Sequence, residues 1–308
     1  MELSVITTLY KSKPFLGRFL SETIATIQQL NINSYELVFV NDGSPDDSVK
    51  YLLERKMEIP QIKIMDLSRN FGHHYAIQAG LRFCQGKFIF LIDNDLETSP
   101  AILQTFYNEL QKTPSLDVVY GFQDIRKGSF IEKKGGALFW SILNKMSDVK
   151  IPHNILTERL MSYQYVQELL RMQDANLFMG GLMHWTGFEQ KGIPVIKGIR
   201  DGESTYSLKK RMQLMFQAVT SFSAKPLEWL FYFGIIISLL SFIFILYLFV
   251  DKLIHKDAVE LGWTSIIALN VLVLGILSTF LGIIGIYVSK IFRQVQGRPN
   301  YIIKKIYE

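Results

Sequence analysis

The residues most able to do chemistry in this 308-residue chain are three carboxylates spaced two apart, Asp93, Asp95 and Glu97. They follow an apolar run, residues 88–92, of the kind that forms a buried strand. Three anions so close in sequence repel one another unless a cation lies among them, and oxygen ligands favour Mg²⁺ or Mn²⁺. Because alternate residues of an extended chain share a face, we expect these side chains to converge on such an ion. The alternative is a solvated acidic turn before a helix that begins near Pro100.

A second polar group, Asn41 to Ser44, ends the apolar run 36–41. An amide and a carboxylate at a strand end can hydrogen-bond a nucleobase or a ribose, and Gly43 allows the chain to turn there. A simple Asx turn is the alternative interpretation.

Histidine and cysteine chemistry is not favoured by their positions. His73 and His74 are adjacent at a predicted helix start, which favours packing or hydrogen bonding over metal ligation or acid–base catalysis. The single cysteine, Cys84, cannot form an internal disulfide, which fits a reducing compartment.

Apolar strands alternate with helical patterns through the first 121 residues. The predicted strands are residues 3–8, 36–41, 62–67, 87–92 and 117–121, and the predicted helices are 15–30, 46–57, 75–84 and 101–111. Further helices are predicted at 135–147 and 163–172. This alternation predicts an α/β fold with a doubly wound, mostly parallel sheet and right-handed crossovers. Ligands of such folds bind beyond the carboxyl ends of the strands, where both polar groups fall.

Two uncharged apolar stretches, residues 229–250 and 261–289, each exceed the roughly 20 residues that cross a bilayer as a helix. The ten residues between them are less basic than residues 209–211 and the tail 290–308. The positive-inside rule therefore predicts that both termini lie in the cytoplasm. The net charge of +5 is interpreted as contact with anionic lipid headgroups, and no nucleic-acid partner is expected.

Four segments are predicted along the chain. Residues 1–207 form a cytoplasmic catalytic domain, and 227–289 form a two-helix transmembrane anchor in the cytoplasmic (inner) membrane. Residues 208–226 are predicted as an amphipathic helix in the membrane interface, with an ordinary domain helix as the alternative. Residues 290–308 form a basic cytoplasmic tail.

Several motifs occur in the order and spacing of family 2 glycosyltransferases. They are residues 40–44, 67–72, 79–81 and 93–97, followed by an Arg-x-x-Gly-x-Ser-x-Tyr-Ser-like loop at 200–208. The chain resembles in particular the polyprenyl-phosphate sugar transferases, of the dolichol-phosphate mannose synthase and bactoprenol glucosyltransferase type. The resemblance covers nearly the whole chain and implies a GT-A-like nucleotide-sugar domain. It also implies inverting transfer from a nucleoside-diphosphate sugar to a polyprenyl (undecaprenyl-type) phosphate.

The resemblance also implies a role for each matched residue. Asp95 and Glu97 would ligate Mg²⁺ or Mn²⁺. Contacts with the nucleotide sugar would come from Thr8, Tyr10, Asn41, Asp42, Asn70, Asp93, Arg200 and Ser204. The acceptor phosphate would be held by Arg126 and Lys127, and the catalytic residues would be Asp93, Asp95 and Arg126.

Three departures from the family pattern leave other functions open. The usual acidic contact in the opening segment is missing at residues 8–12, and the first arginine of the acceptor segment is Gln123. The family's Asp-x-Gly-Asp-Phe-Arg-Leu retains only Arg-Leu at residues 154–160. A degenerate transferase acting as a scaffold or sugar-binding subunit is one alternative. A processive polysaccharide synthase is disfavoured, because no tryptophan follows an arginine. The sugar, the nucleotide base and whether the chain forms a homo-oligomer stay open.

Overall fold

The computed structural model describes residues 1–123, 145, 152–196, 198, 223–254 and 262–308. The strands are β1 Leu3–Leu9, β2 Tyr35–Asn41, β3 Ile62–Leu67, β4 Phe88–Leu91, β5 Val118–Phe122, β6 Ile155–Ser162, β7 Gln190–Pro194 and β8 Ile303–Tyr307. They form one mixed sheet in the order β7-β5-β6-β4-β1-β2-β3-β8.

The parallel core of this sheet confirms the doubly wound prediction. Strand β1 lies between β2 and β4, β3 pairs with β2, and all three pairings are parallel. The sheet is mostly parallel, as predicted, but mixed: β5 and β7 also pair parallel, whereas β6 pairs antiparallel with both β4 and β5, and β8 pairs antiparallel with β3. Strands β6, β7 and β8 were not predicted.

Helices cover both faces of the sheet. They are α1 Lys13–Gln29, α2 Ser48–Lys56, α3 His73–Phe83, α4 Ile102–Lys112, α5 Tyr163–Arg171 and α6 Met179–Trp185. Residues of α1, α2 and α4 join one buried cluster, and residues of α3, α5 and α6 join the other. Consecutive residues of β2 enter opposite clusters, such as Phe39 and Val40. This two-sided burial explains why the parallel strands are continuous apolar runs in the sequence.

A close approach of α3 to the sheet places the start of that helix at the sheet's carboxyl edge. A Cβ atom on Gly80 would lie 2.8 Å from Ile6 Cγ2 and 2.9 Å from Val40 Cγ2. Glycine therefore lets α3 pack directly on β1 and β2.

Two long helices follow the sheet domain, α7 Lys225–Ile254 and α8 Trp263–Val295. Each contains a stretch long and apolar enough to cross a membrane, Lys225–Phe244 and Leu272–Val295, judged by length and composition. The helices predicted at 135–147 and 208–226 lie outside the described residues, apart from residue 145 and residues 223–226.

The segment predicted as a basic tail, residues 290–308, has a different structure. Helix α8 continues to Val295, and residues 303–307 form β8 on the edge of the sheet. The residues Ile-Lys-Lys-Ile-Tyr do not alternate between apolar and polar, and the pairing with β3 is irregular between Asp66 and Leu67. The strand is held largely by main-chain pairing, which leaves little trace in a hydrophobic pattern.

Candidate active site

The predicted site residues of β1, β2 and the segment after β4 meet at the carboxyl edge of the parallel core. Asn94 joins two of these segments, because its side-chain amide donates to Thr7 Oγ1 at 3.2 Å and to the Thr8 carbonyl at 2.7 Å. Asn94 is buried and points into the sheet. Asp93 and Asp95 therefore lie on either side of a fixed residue.

The acidic segment 93–97 is a turn, so the expectation of an extended chain is wrong. Asp95 Oδ1 accepts a hydrogen bond from the Glu97 amide at 3.1 Å. Leu96 between them has φ of 58°. A left-handed conformation costs a residue with a side chain about 1–2 kcal/mol. The inward anchoring of Asn94 and the cap by Asp95 impose this turn, and such strain is common at functional sites.

The donor set at this turn fits a cation that substrate helps to bind. In the parts of the chain that the structure describes, no three His, Cys, Asp or Glu side chains gather closely enough to enclose a metal. Mg²⁺ is commonly held by one or two carboxylates together with substrate phosphates, so a full protein cage is not needed. Asp95 and Glu97 are both partly exposed and offer hard oxygen ligands of that kind.

Asp42 is buried and holds the loop after β3. Its two carboxylate oxygens accept hydrogen bonds from the Phe71 amide at 2.7 Å and the Gly72 amide at 3.0 Å. This loop leads directly into α3. Contact of Asp42 with a nucleoside stays a prediction, while the structure shows its role in fixing the loop.

Asn41 is buried in a similar way. Its side-chain carbonyl accepts from the Ser44 amide at 3.0 Å, and its amide donates to Asp66 Oδ1 at 2.7 Å. The Asx turn considered as an alternative is therefore present. Asp66 was not singled out from the sequence, although a carboxylate near the end of β3 was a signal that could have identified it.

Gly43 lets the loop that follows β2 lie against the loop that follows β3. It has φ of +62°, and a Cβ atom there would lie 2.5 Å from the Asn70 amide nitrogen. Both the conformation and the close approach require glycine. Asn70 is exposed beside this contact, as a nucleotide-binding residue would be.

The segment after β1 turns toward the same loops. The Lys11 amide donates to Ser44 Oγ at 2.8 Å, and Lys11 has φ of 57°. Tyr10 is left half exposed at the rim of the site. An aromatic ring in this position can stack on a nucleobase.

His73 is the site residue that sequence reasoning missed. Its Nδ1 lies 3.0 Å from Thr8 Oγ1, within hydrogen-bonding distance, and its Nε2 lies 3.7 Å from Asp93 Oδ1. Burial lowers the pKa of His73, although the charges of Asp42 and Asp95 oppose this effect. Its place directly after the Asn-Phe-Gly motif was the available signal. His74 fulfils the expected packing role, with Nδ1 3.2 Å from the Leu177 carbonyl.

Four predicted site residues, Arg126, Lys127, Arg200 and Ser204, lie outside the described residues. The described chain does show where two of these segments start. The Gly198 amide donates to the Glu97 carbonyl at 2.7 Å, so Gly198 lies against the acidic turn. The Gln123 amide donates to the Asn154 carbonyl at 3.0 Å, so two departures from the family pattern lie against each other.

The divergent segment 154–160 leads into β6, between β4 and β5. The retained Arg159 is buried, with Nε donating to the Thr157 carbonyl at 3.1 Å and Nη2 to the Leu156 carbonyl at 3.0 Å. Arg159 therefore braces its own strand, which at this point pairs with Leu91 of β4.

An α/β sheet with polar and acidic loops at the carboxyl ends of its parallel strands fits a nucleotide-sugar transferase domain of GT-A type. Residues 4–170 match the family described as Glycosyl transferase family 2, and the chain belongs to that family. The resemblance stated from the motifs is thereby confirmed, and the protein is a glycosyltransferase.

The similarity to known relatives extends over the full chain. A glycosyltransferase of Bacillus subtilis is 35% identical, with 100% of this chain and 94% of the relative covered. The prophage-derived bactoprenol glucosyl transferase of Shigella flexneri is 28% identical, with 99% and 98% covered.

Among solved structures, a mannosyltransferase of Pyrobaculum calidifontis in complex with GDP-Man and Mn²⁺ has a similar fold. The TM-score is 0.52 at 16% identity, with 70% of this chain and 62% of that chain covered.

Proposed function

We propose that this protein is an inverting glycosyltransferase that moves a sugar from a nucleoside-diphosphate sugar to a polyprenyl phosphate at the cytoplasmic face of the inner membrane. The observation that carries the proposal is the joining of the acidic turn 93–97, through Asn94, to the end of β1. Full-length similarity to a bactoprenol glucosyl transferase supports the acceptor. The two long apolar helices would give the protein access to a lipid substrate in the membrane.

The chain's own residues would act mainly by positioning the two substrates. The acceptor is a phosphate monoester whose second pKa near 6 leaves it mostly dianionic at neutral pH, so it needs orientation more than a strong base. Thr8 would hold His73 beside Asp93, which would face the sugar, while Asn41 and Asp42 would hold the loops around the nucleotide. When bound at Asp95 and Glu97, a divalent cation supplies positive charge opposite the departing diphosphate.

Two basic segments would bind the phosphate groups of the two substrates. Arg126 and Lys127 hold the lipid phosphate, and Arg200 and Ser204 close over the donor diphosphate. The hydrogen bond from Gly198 to Glu97 supports the second assignment, because it brings the chain before Arg200 to the metal-binding turn.

The membrane orientation follows from the flanking charges. Helices α7 and α8 would span the inner membrane, with the sheet domain and both termini in the cytoplasm. A cysteine label at Lys256 should react with an impermeant reagent from outside the cell, and one at Glu308 should not. The reverse labelling pattern would overturn the orientation.

The catalytic proposal is tested by screening radiolabelled nucleotide sugars with polyprenyl phosphate and either Mg²⁺ or Mn²⁺. A lipid-linked sugar of inverted anomeric configuration is the expected product. Binding of a nucleotide sugar without any transfer would instead favour the sugar-binding scaffold.

The assignment of Arg126 to the acceptor and of Arg200 to the donor is tested with Arg126→Ala and Arg200→Ala. Arg126→Ala should raise the polyprenyl phosphate requirement and leave donor binding by calorimetry unchanged. Arg200→Ala should weaken donor binding by about 1.5–3 kcal/mol, the cost of a charge-assisted contact. The Lys variants serve as controls and should restore only part of each function, because lysine lacks the bidentate fork. Loss of donor binding with Arg126→Ala alone would show that the two assignments are exchanged.

A further inference from the structure

The end of α8 and the residues after it connect the second apolar helix to the catalytic domain. We call residues 294–307 the docking segment. Helix α8 ends at Val295, and Gly297 with φ of +60° reverses the chain. Glycine in a left-handed conformation at this place is a common helix terminator. The chain then passes α3 and forms β8 on the edge of the sheet.

The first connection is made by Gln294. Its Oε1 accepts from the Ala175 amide at 2.8 Å, and its Nε2 donates to the Gln173 carbonyl at 2.9 Å. One side chain thus holds a donor and an acceptor of the turn between α5 and α6. Gln294 also lies in the last turn of the apolar stretch Leu272–Val295, so the docked turn lies where that stretch ends.

The second connection is made by Asn300. Its amide donates to Gln78 Oε1 at 2.9 Å and to the Asp174 carbonyl at 3.1 Å. Gln78 is a buried residue of α3, the helix whose first residue, His73, faces Asp93. Asn300 therefore joins the end of the apolar helix to a helix that forms part of the site.

The third connection is β8 itself. The Ser68 amide donates to the Ile302 carbonyl at 2.9 Å, and Lys304 Nζ lies 4.0 Å from Asp66 Oδ2. Asp66 in turn accepts from Asn41. Covering a sheet edge needs only β8, so the separate side-chain contacts of Gln294 and Asn300 call for a further role.

We propose that the docking segment fixes the catalytic domain at one height and orientation on its own α8, so that a lipid-borne phosphate meets the donor site. This inference rests on the proposed function. Gln294 and Asn300 are positioning residues, because they touch neither substrate. Loss of correct placement by even 1 Å can slow a reaction by about 10²-fold, so the effect should be confined to the membrane-bound acceptor.

The test compares the double variant Gln294→Ala/Asn300→Ala with the matched control Gln296→Ala, an exposed glutamine at the same helix end. Transfer to long-chain polyprenyl phosphate in liposomes should fall at least about tenfold in the double variant. Transfer to a short, water-soluble prenyl phosphate and the Kd for the nucleotide sugar should stay within about twofold of wild type. Equal loss on both acceptors, or no loss on either, would overturn the inference.

A second readout does not depend on activity and separates failure of this inference from failure of the proposed function. A fluorophore at Lys112→Cys, an exposed site at the end of α4, reports its distance to a dye in the lipid of a nanodisc. The native protein should give one narrow distance distribution, and the double variant a broader one. An unchanged distribution in the double variant would overturn the inference even if no acceptor were found.

The origin of β8 is tested by disulfide trapping. Met65 and Ile306 are opposed in the antiparallel register, where Cβ atoms lie about 4.5–5.5 Å apart. The variant Met65→Cys/Ile306→Cys should form a disulfide within one chain, seen as a monomer on a non-reducing gel. A disulfide-linked dimer would show that a second copy supplies the strand, which overturns docking on the chain's own α8.

Discussion

The two ends of the parallel strands place carboxylates in opposite situations. At the amino end, Glu36 is fully buried and accepts hydrogen bonds from Ser4 Oγ and from the Gln85 amide at 2.9 Å. Lys63 Nζ lies 2.8 Å from its other oxygen. At the carboxyl end, Asp93, Asp95 and Glu97 are only partly buried and lie on a strained turn.

The difference shows how the same residue type serves stability or function. A buried carboxylate needs a cation and hydrogen bonds from the protein itself, and Glu36 has both. The carboxylates of the turn 93–97 remain partly open to solvent, as the proposed binding of substrate and metal requires. The amino edge is therefore expected to govern stability, and the carboxyl edge to govern turnover.

The largest expected effect is that of Asp95→Ala at the carboxyl edge. It should reduce transfer by at least about 10³-fold, since under the proposed assignment it removes a ligand of the cation that would stabilise the departing diphosphate. The thermal midpoint should hardly change, because no core residue is lost. Asp47→Ala, which removes an exposed carboxylate paired with Lys13, is the control and should transfer normally. Glu97→Gln should be milder, since an amide oxygen can still coordinate. Near-normal turnover of Asp95→Ala would refute the metal assignment.

At the amino edge, Lys63→Met should show the opposite behaviour. It leaves the Glu36 carboxylate buried without its cation, which costs about 3–5 kcal/mol. The thermal midpoint should then fall by roughly 10 °C, with unchanged donor affinity in the folded fraction. Lys13→Met, which breaks an exposed ion pair, should cost less than about 1 kcal/mol. Recovery in the double variant Lys63→Met/Glu36→Gln is expected, and its absence would contradict this explanation.

Gly43→Ala tests whether loop contact at the carboxyl edge controls donor binding. The added Cβ would meet the Asn70 amide and separate the two loops. We expect donor affinity by calorimetry to fall about tenfold, with a stability loss of about 1–3 kcal/mol from backbone strain and crowding. Gly187→Ala is the control, because Gly187 has φ of +74° but open space around its Cβ position. Equal effects of both variants on donor affinity would rule out the loop contact as the cause.

The smallest effect concerns His184, a partly buried histidine that the fold keeps neutral, and it extends the comparison to a group that is positive when protonated. Burial, with a contribution from the Arg159 charge, lowers the pKa of His184 from 6.5 to about 4. Between these values the unfolded chain binds the proton and the folded chain does not, so stability falls as pH decreases through this window. His184→Gln should flatten the decline in thermal midpoint from pH 6.5 to 4, and His153→Gln, at an exposed position, should not. An unchanged pH profile in His184→Gln would contradict the prediction.

The strands of the parallel core were predictable to within a residue or two at each end. Strand β3 was predicted with the bounds that the structure shows, because its residues pack into clusters on both faces. Three strands were missed: β6 and β8 pair antiparallel with strands distant in sequence, β7 pairs parallel with β5, and β8 has no apolar alternation. Their existence depends on partners that a local pattern does not contain.

The site shows the same division. The sequence by itself determined which residue types could act, Asp93, Asp95 and Glu97 among them, and the family to which the chain belongs. Only the tertiary structure decided that segment 93–97 is a turn held by Asn94, and that His73 lies between Thr8 and Asp93. It also joined Asn300 to Gln78, residues 222 positions apart. Local patterns record burial and turn chemistry, whereas these contacts arise only when the sheet brings distant segments to one edge.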